Sequence, residues 1–206
     1  MGAILNKIVE GGLEIMVPLV ILFLIGLAYI FERLIALTKA KINTAEFLTK
    51  IRAALRNKNV KEAVKICETF KGPIASILKT GLMKYGDPKE EIEKTMENAA
   101  MHEIARLERG LPVLSTISNL APIIGFLGTV VGMIRSFNAL AQLNDPGMVA
   151  KGISQALITT AGGLIVSVPM LLAYSYFTTK VNSFIREIES ASAVLMESFS
   201  QMERDV

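Results

Sequence analysis

Hydrophobic positions along this chain fall into three long charge-free runs, joined by stretches in which apolar residues recur at helical spacing. No Asp, Glu, Lys or Arg occurs between Glu14 and Glu32, between Arg109 and Arg135, or between Lys151 and Lys180. These runs hold 17, 25 and 28 residues. A helix of roughly 17–25 apolar residues crosses a bilayer. Three transmembrane helices are therefore expected, over 15–31, 110–134 and 152–179. A buried core of soluble helices is the alternative, but three runs of this length rarely belong to one. The pattern predicts an all-α integral membrane protein in which two of the three spans are long and extend beyond the membrane.

The remaining stretches sharpen that outline. Residues 1–14 alternate as a short amphipathic lead-in, with Ile4, Leu5, Ile8 and Val9 against Lys7, Glu10 and Glu14. Span one is bulky all round, with Gly26 and Ala28 its only small residues, so it is expected to face lipid. Asn43 followed by Glu46 signals a helix start, and Asn57–Asn59 and Gly72-Pro73 interrupt the helical period. Asp87 as cap, Pro88 at the first helical position and Glu90 predict another start. From there apolar positions run without a strong break into span two, predicting one helix from Pro88 to about Leu140. Pro112 and Pro122 are its candidate kinks. Asn144-Asp145-Pro146-Gly147 predicts a turn. A helix from Val149 to Glu203 follows, roughly 80 Å long at 1.5 Å per residue. Two helices that outrun the membrane suggest a cytoplasmic vestibule or stalk.

Composition adds topology. The 206 residues are 51% hydrophobic with a net charge of +3. Sixteen of the 22 Lys and Arg lie between residues 32 and 109, and cationic segments stay in the cytoplasm. The expected order is a periplasmic lead-in (1–14), span one (15–31), a cytoplasmic helical region (32–109) and span two (110–134). A periplasmic turn (135–151), span three (152–179) and a cytoplasmic C-terminal helix (180–206) complete it. The cations of 32–109 alternate with eleven acidic residues, which reads as solvated helix faces and not a nucleic-acid surface. The lone Cys67 offers no disulfide and no metal site, and the lone His102 reads as a surface residue. Glu10 and Glu14 stand where a signal peptide would be basic, so span one is expected to be retained.

Spans two and three carry stripes of small and hydroxyl residues. Ser118, Pro122, Gly125, Thr129, Gly132 and Ser136 share one helix face, and so do Gly152, Ala156, Thr160, Gly163 and Ser167. Gly128, Thr159, Ser154 and Gln155 lie close by. Threonine in a membrane helix ordinarily bonds to its own backbone, and glycine stripes ordinarily pack helices. Two stripes, each with a central threonine, point instead to a lined interior, with Thr129, Thr160, Thr159 and Gln155 as candidate ion-path residues. Gly125, Gly128, Gly132, Ala156, Gly163, Ser167 and Pro122 form its packing face. Gln155 either sits at the outer mouth or satisfies backbone near a helix end. No Asp, Glu, His, Lys or Arg falls within spans two and three, although ion-moving proteins usually place one in the bilayer. Hydroxyls cannot take up and release a proton near neutral pH. If protons cross here, the titrating carboxylate comes from another polypeptide.

The stretches APIIGFLGTVVGMIRSF and GISQALITTAGGL resemble the two signature regions of the MotA/TolQ/ExbB proton channel family, closest to the ExbB/TolQ branch. The cores are G-[FL]-x-G-T-V-x-G and A-L-x-x-T-A-x-G-L, and length and span order agree as well. The resemblance implies a homopentamer whose second and third spans ring a pore. That pore would hold the helices of an ExbD- or TolR-type partner whose membrane Asp carries the proton. Thr129 and Thr160 match the family's pore-lining threonines. Gln155 stands where ExbB- and TolQ-type members often have Glu, so a sodium-driven version stays open. The resemblance further implies a bacterial inner-membrane motor that works on a TonB- or TolA-like protein for outer-membrane transport or envelope maintenance. Lipid surrounds it, and no cofactor, metal or nucleic acid is called for. A structural membrane scaffold without ion flow, or a pore acting alone, are the rivals. An enzyme is disfavoured because no nucleophile–base set or metal cluster is evident.

Overall fold

A computed structural model describes residues 12–143 and 145–204, apart from the side chains of Gln142, Leu143 and Glu203. It contains α1 (Leu13–Ala40), α2 (Thr44–Arg56), α3 (Val60–Thr69), α4 (Pro73–Met83), α5 (Lys89–Glu108), α6 (Leu111–Leu143) and α7 (Pro146–Arg204). No strand forms among the described residues. Three of the helical stretches are long and apolar enough to cross a membrane, and each carries one of the charge-free runs. Most of the expected lead-in, residues 1–11, lies outside the described residues, as does Asn144 of the expected turn.

The chain forms two compact units. The first joins the chain up to Glu32 with Gly110–Phe177. Here three apolar helical segments pack through small residues. A Cβ added at Gly125 would lie 2.8 Å from the carbonyl oxygen of Thr159 and 3.2 Å from the Cα of Gly163. One added at Gly163 would lie 2.6 Å from the carbonyl oxygen of Ala121. One at Gly132 would lie 2.9 Å from the Cβ of Ala156. Only backbones without side chains can approach this closely, the common device for helix pairs in lipid. On the α1 side, Gly26 lies against the sulfur of Met170, and Met16 and Leu19 cover Gly162. Span one therefore buries one edge, with Leu19 at 1% exposure. Its other face presents Val17, Ile21, Leu24 and Ile25 outward, as the bulky sequence predicts. Only 17%, 28% and 33% of the three apolar windows are buried. So much exposed apolar surface is untenable in water and suited to a bilayer.

Pro122 stands inside α6 without interrupting it. Proline has no N–H, so the carbonyl four residues earlier loses its helical partner. That carbonyl belongs to Ser118, and the Ser167 hydroxyl donates to it at 2.6 Å. A gap in one helix is thus closed by a side chain of the next, as the apolar phase demands.

The second unit joins Arg33–Arg109 with the chain from Thr178 onward. Each of α2 to α5 packs on the next. Their apolar faces enclose Phe47, Ile51, Leu55, Ile74, Ile77, Leu78 and Leu82, with Ile188, Leu195 and Phe199 of α7 completing the core. Full burial of one such side chain contributes about 1.5–3 kcal/mol. Asn43 caps α2 by accepting from the Glu46 N–H at 3.3 Å, as its spacing predicts. Asn59 does the same for α3 with Glu62 at 3.1 Å.

Three helix boundaries differ from expectation, the first being the start of α7, which lies at Pro146 inside the expected turn and not at Val149. The helix foreseen from Pro88 into span two is interrupted at Arg109 and Gly110, between α5 and α6. Gly110 has φ +85°, a left-handed value that glycine adopts freely and that ends helices. The cap at the start of α5 is Pro88, not Asp87. The Pro88 carbonyl accepts from Ile92 at 3.2 Å, while the Asp87 carboxylate is engaged by Lys84 at 2.9 Å. With Pro88 at the cap position, φ −54° and ψ 142°, Asp87 lies one residue before it.

Candidate functional site

The two stripes meet in the first unit, along the line where α6 and α7 approach closest. Gly125 and Gly163 let the backbones touch, and the threonines one turn away are drawn together. The hydroxyls of Thr129 and Thr160 hydrogen-bond each other directly. Thr129 Oγ1 also reaches the carbonyl oxygens of Ala156 at 3.2 Å and Gly125 at 3.4 Å. Thr160 Oγ1 reaches the Gly125 oxygen at 3.2 Å. Thr159 Oγ1 lies 2.6 Å from the Ala156 oxygen and 3.2 Å from the Gly125 oxygen. Three hydroxyls and two carbonyls thus form one knot of oxygen inside two apolar runs.

Exposure separates the three threonines. Thr129 and Thr160 are half-buried, whereas Thr159 is 2% exposed. Thr159 packs behind the other two, against Gly128, which Ile15 of α1 also approaches. Gly125, Gly128, Ala156, Gly163 and Ser167 are buried, and Gly132 and Pro122 half-buried. They hold the two helices together within one chain. Ser136 closes the seam at its far end, packed on Gly152 and bonded back to the Gly132 carbonyl at 2.8 Å.

Gln155 lies one helical turn from Thr159 and lines a pocket of about 280 Å³ that Thr159 also borders, together with Glu14, Arg135, Ser136 and Lys151. Glu14 and Arg135 are paired there at 2.6 Å. The carboxamide is thus close to the charged rim of the spans.

Hydroxyl and carbonyl oxygens can accept or donate hydrogen bonds and weakly coordinate a dehydrated cation. They supply no titrating group near neutral pH. Among the described residues no group of three His, Cys, Asp or Glu is placed to hold a metal. His102 is exposed. Cys67 is buried in the core of the second unit, where burial pushes its thiol up to about 12.

Sequence reasoning missed two features. The carbonyls of Gly125 and Ala156 complete the knot, and a side-chain pattern cannot announce a backbone acceptor. Arg33, just past span one, is 4% exposed. Its guanidinium donates to the carbonyls of Arg106 and Leu107 at 3.2 and 3.3 Å, satisfying the end of α5 where Gly110 stops it. Nothing distinguishes it in sequence from its cationic neighbours.

The sequence matches the MotA/TolQ/ExbB proton channel family over residues 69–190. An ExbB homolog of Methanothermobacter thermautotrophicus, named for biopolymer transport, is 30% identical over 91% of this chain and 67% of its own length. The biopolymer transport protein ExbB-like 3 of Synechocystis is 27% identical over 94% of this chain and 90% of its own. The Tol-Pal system protein TolQ of Haemophilus influenzae is 41% identical over 47% of this chain and 44% of its own. The alignment thus covers most of the ExbB-like relatives and under half of that TolQ.

Proposed function

Because this chain belongs to the MotA/TolQ/ExbB proton channel family, we propose that it is the ring-forming subunit of an ion-driven motor in the inner membrane. Several copies, five by analogy with the family, surround the helices of an ExbD- or TolR-type partner. A carboxylate on that partner carries the proton past Thr129 and Thr160. Motion of ring against partner then drives a TonB- or TolA-like protein in biopolymer transport or envelope maintenance. The N-terminus lies in the periplasm and the C-terminus in the cytoplasm, in keeping with the cations of 32–109.

One observation carries the reading. The half-buried Thr129–Thr160 pair stands within two spans that hold no ionisable residue. Such a pair can solvate a carboxylate or a carboxylic acid but cannot replace it. An acid from elsewhere is what the site lacks. A sodium-driven version has its own support: Thr129 Oγ1, Thr160 Oγ1 and the oxygens of Gly125 and Ala156 cluster closely enough to share a dehydrated cation.

Ion flux through the purified complex in liposomes tests this. Thr160→Val and Thr129→Val should each lower flux by about tenfold or more, the worth of about 1.4 kcal/mol or more at the barrier. The serine variants should retain most of it. Flux that follows sodium and ignores the pH gradient would select the sodium version. No flux through the wild-type complex would make the chain a scaffold, and wild-type flux in Thr160→Val would remove the pair from the ion path. Conduction by this chain without a partner would make it a pore in its own right.

A further inference from the structure

The knot holds more hydroxyl hydrogens than carbonyl sites. Gly125 O and Ala156 O each have two lone pairs. In an unbroken helix one of these accepts the N–H four residues on, so each carbonyl has one place left. Three hydroxyls compete for those two places. The shortest contact to a carbonyl, Thr159 to Ala156 O at 2.6 Å, decides the first. Thr159 is also buried, at 2% exposure, against Gly128. With Ala156 O occupied, Thr129 and Thr160 share the single place on Gly125 O, and one must donate to the other.

From this geometry we infer that Thr159 is a positioning residue, whose buried hydroxyl keeps the Thr129–Thr160 pair reversible. The inference rests on the proton-path reading above. In one arrangement Thr129 donates to Thr160 and Thr160 to Gly125 O. The free lone pairs of Thr129 then accept from a protonated carboxylic acid. In the other, Thr160 donates to Thr129 and Thr129 donates outward to a carboxylate. Each hydroxyl keeps its own hydrogen, and only the torsions about the two Cβ–Oγ1 bonds change. The pair therefore serves both charge states of a passing acid. Were Ala156 O vacant, it would hold the Thr129 hydrogen at 3.2 Å. The outward donation would then require breaking that bond. The sequence core A-L-x-x-T-A leaves position 159 open, so its role follows from the carbonyl count and not from the motif.

Valine matches threonine in shape but lacks the hydroxyl, and serine keeps the hydroxyl but lacks the methyl. In liposomes holding the complex purified with its own partner, proton flux of Thr159→Val should fall about threefold to tenfold, the worth of one misplaced hydrogen bond. Thr159→Ser should stay near wild type, and the mass of the assembled complex should be unchanged in both. Wild-type flux in Thr159→Val would overturn the inference, and so would an equal loss in both variants. A loss in serine alone would assign Thr159 to packing and overturn it too. Thr160→Val, run alongside, separates the two readings. If Thr160→Val loses flux while Thr159→Val keeps it, the positioning role alone falls. If Thr160→Val keeps flux, the proton path falls and this role with it.

Discussion

Among single residues, Cys67 shows how burial alone sets chemistry. It lies in the second unit's apolar core, and loss of water pushes its thiol from an ordinary 9 up to about 12. Only the thiolate reacts readily. At pH 8 a maleimide should therefore leave the folded protein unlabelled and label it fully in denaturant, as mass spectrometry would read. The same shift fixes a pH dependence. Below pH 9 the thiol is neutral folded and unfolded, and contributes no bias. Between 9 and about 12 only the unfolded thiol ionises, so stability falls across that window. Cys67→Ala should flatten this part of the profile. Glu46 and Glu68 also shift, downward, each first through a hydrogen bond from lysine, but they lie exposed in solvent where such pairs contribute little.

At the level of the helix, Arg33 is the clearest case of an end that needs outside help. α5 stops at Glu108, and its last carbonyls would stand unpaired without the guanidinium. Arg33→Ala should destabilise the second unit by about 2–3 kcal/mol, since charged hydrogen bonds are lost and buried acceptors are stranded. Arg33→Lys should recover only part, because a single ammonium lacks the planar fork. Thermal melts of the three forms in detergent would rank them. The helices themselves were largely legible in sequence. Charge-free runs gave the spans, and Asn43 with Glu46 gave the start of α2. Asn59 with Glu62 repeats the same spacing and could have been read the same way. What sequence could not disclose is where contact overrules local preference. Asp87 reads as a cap, but Pro88 takes that position, and the joint at Gly110 is hidden because apolar residues recur at helical spacing on both sides of it. The threonines were named from their stripe, yet only three dimensions separate the half-exposed pair from the enclosed Thr159.

For the molecule as a whole, its division of labour is visible in surface chemistry. The first unit turns Ile123, Phe126, Ile165 and Leu172 outward, all large and apolar. The second encloses most of its apolar residues and carries most of the charge on its surface. Its ion pairs are exposed ones such as Lys50–Glu46 and Lys79–Glu68, which salt screens. High salt should thus leave the second unit folded, whereas removal of lipid or detergent should precipitate the chain through the first. If copies assemble as a ring, native mass spectrometry in mild detergent should give an integral multiple of the 22.4 kDa subunit. Five is the expected multiple. A persistent monomer with its partner bound would count against the ring.

The missing N–H of Pro122 has a consequence for how this sequence can drift. Ser167 is needed because a proline sits on the neighbouring span, and Ser118 O is the creditor of that defect. Losing the serine alone strands a carbonyl in hydrocarbon. Replacing the proline with alanine restores the local ladder and releases the serine from duty. Ser167→Ala should therefore harm thermal stability in the native background and be nearly silent beside Pro122→Ala. Lineages that shed the proline should be free to forget the serine, and the order of the two losses should never be the reverse.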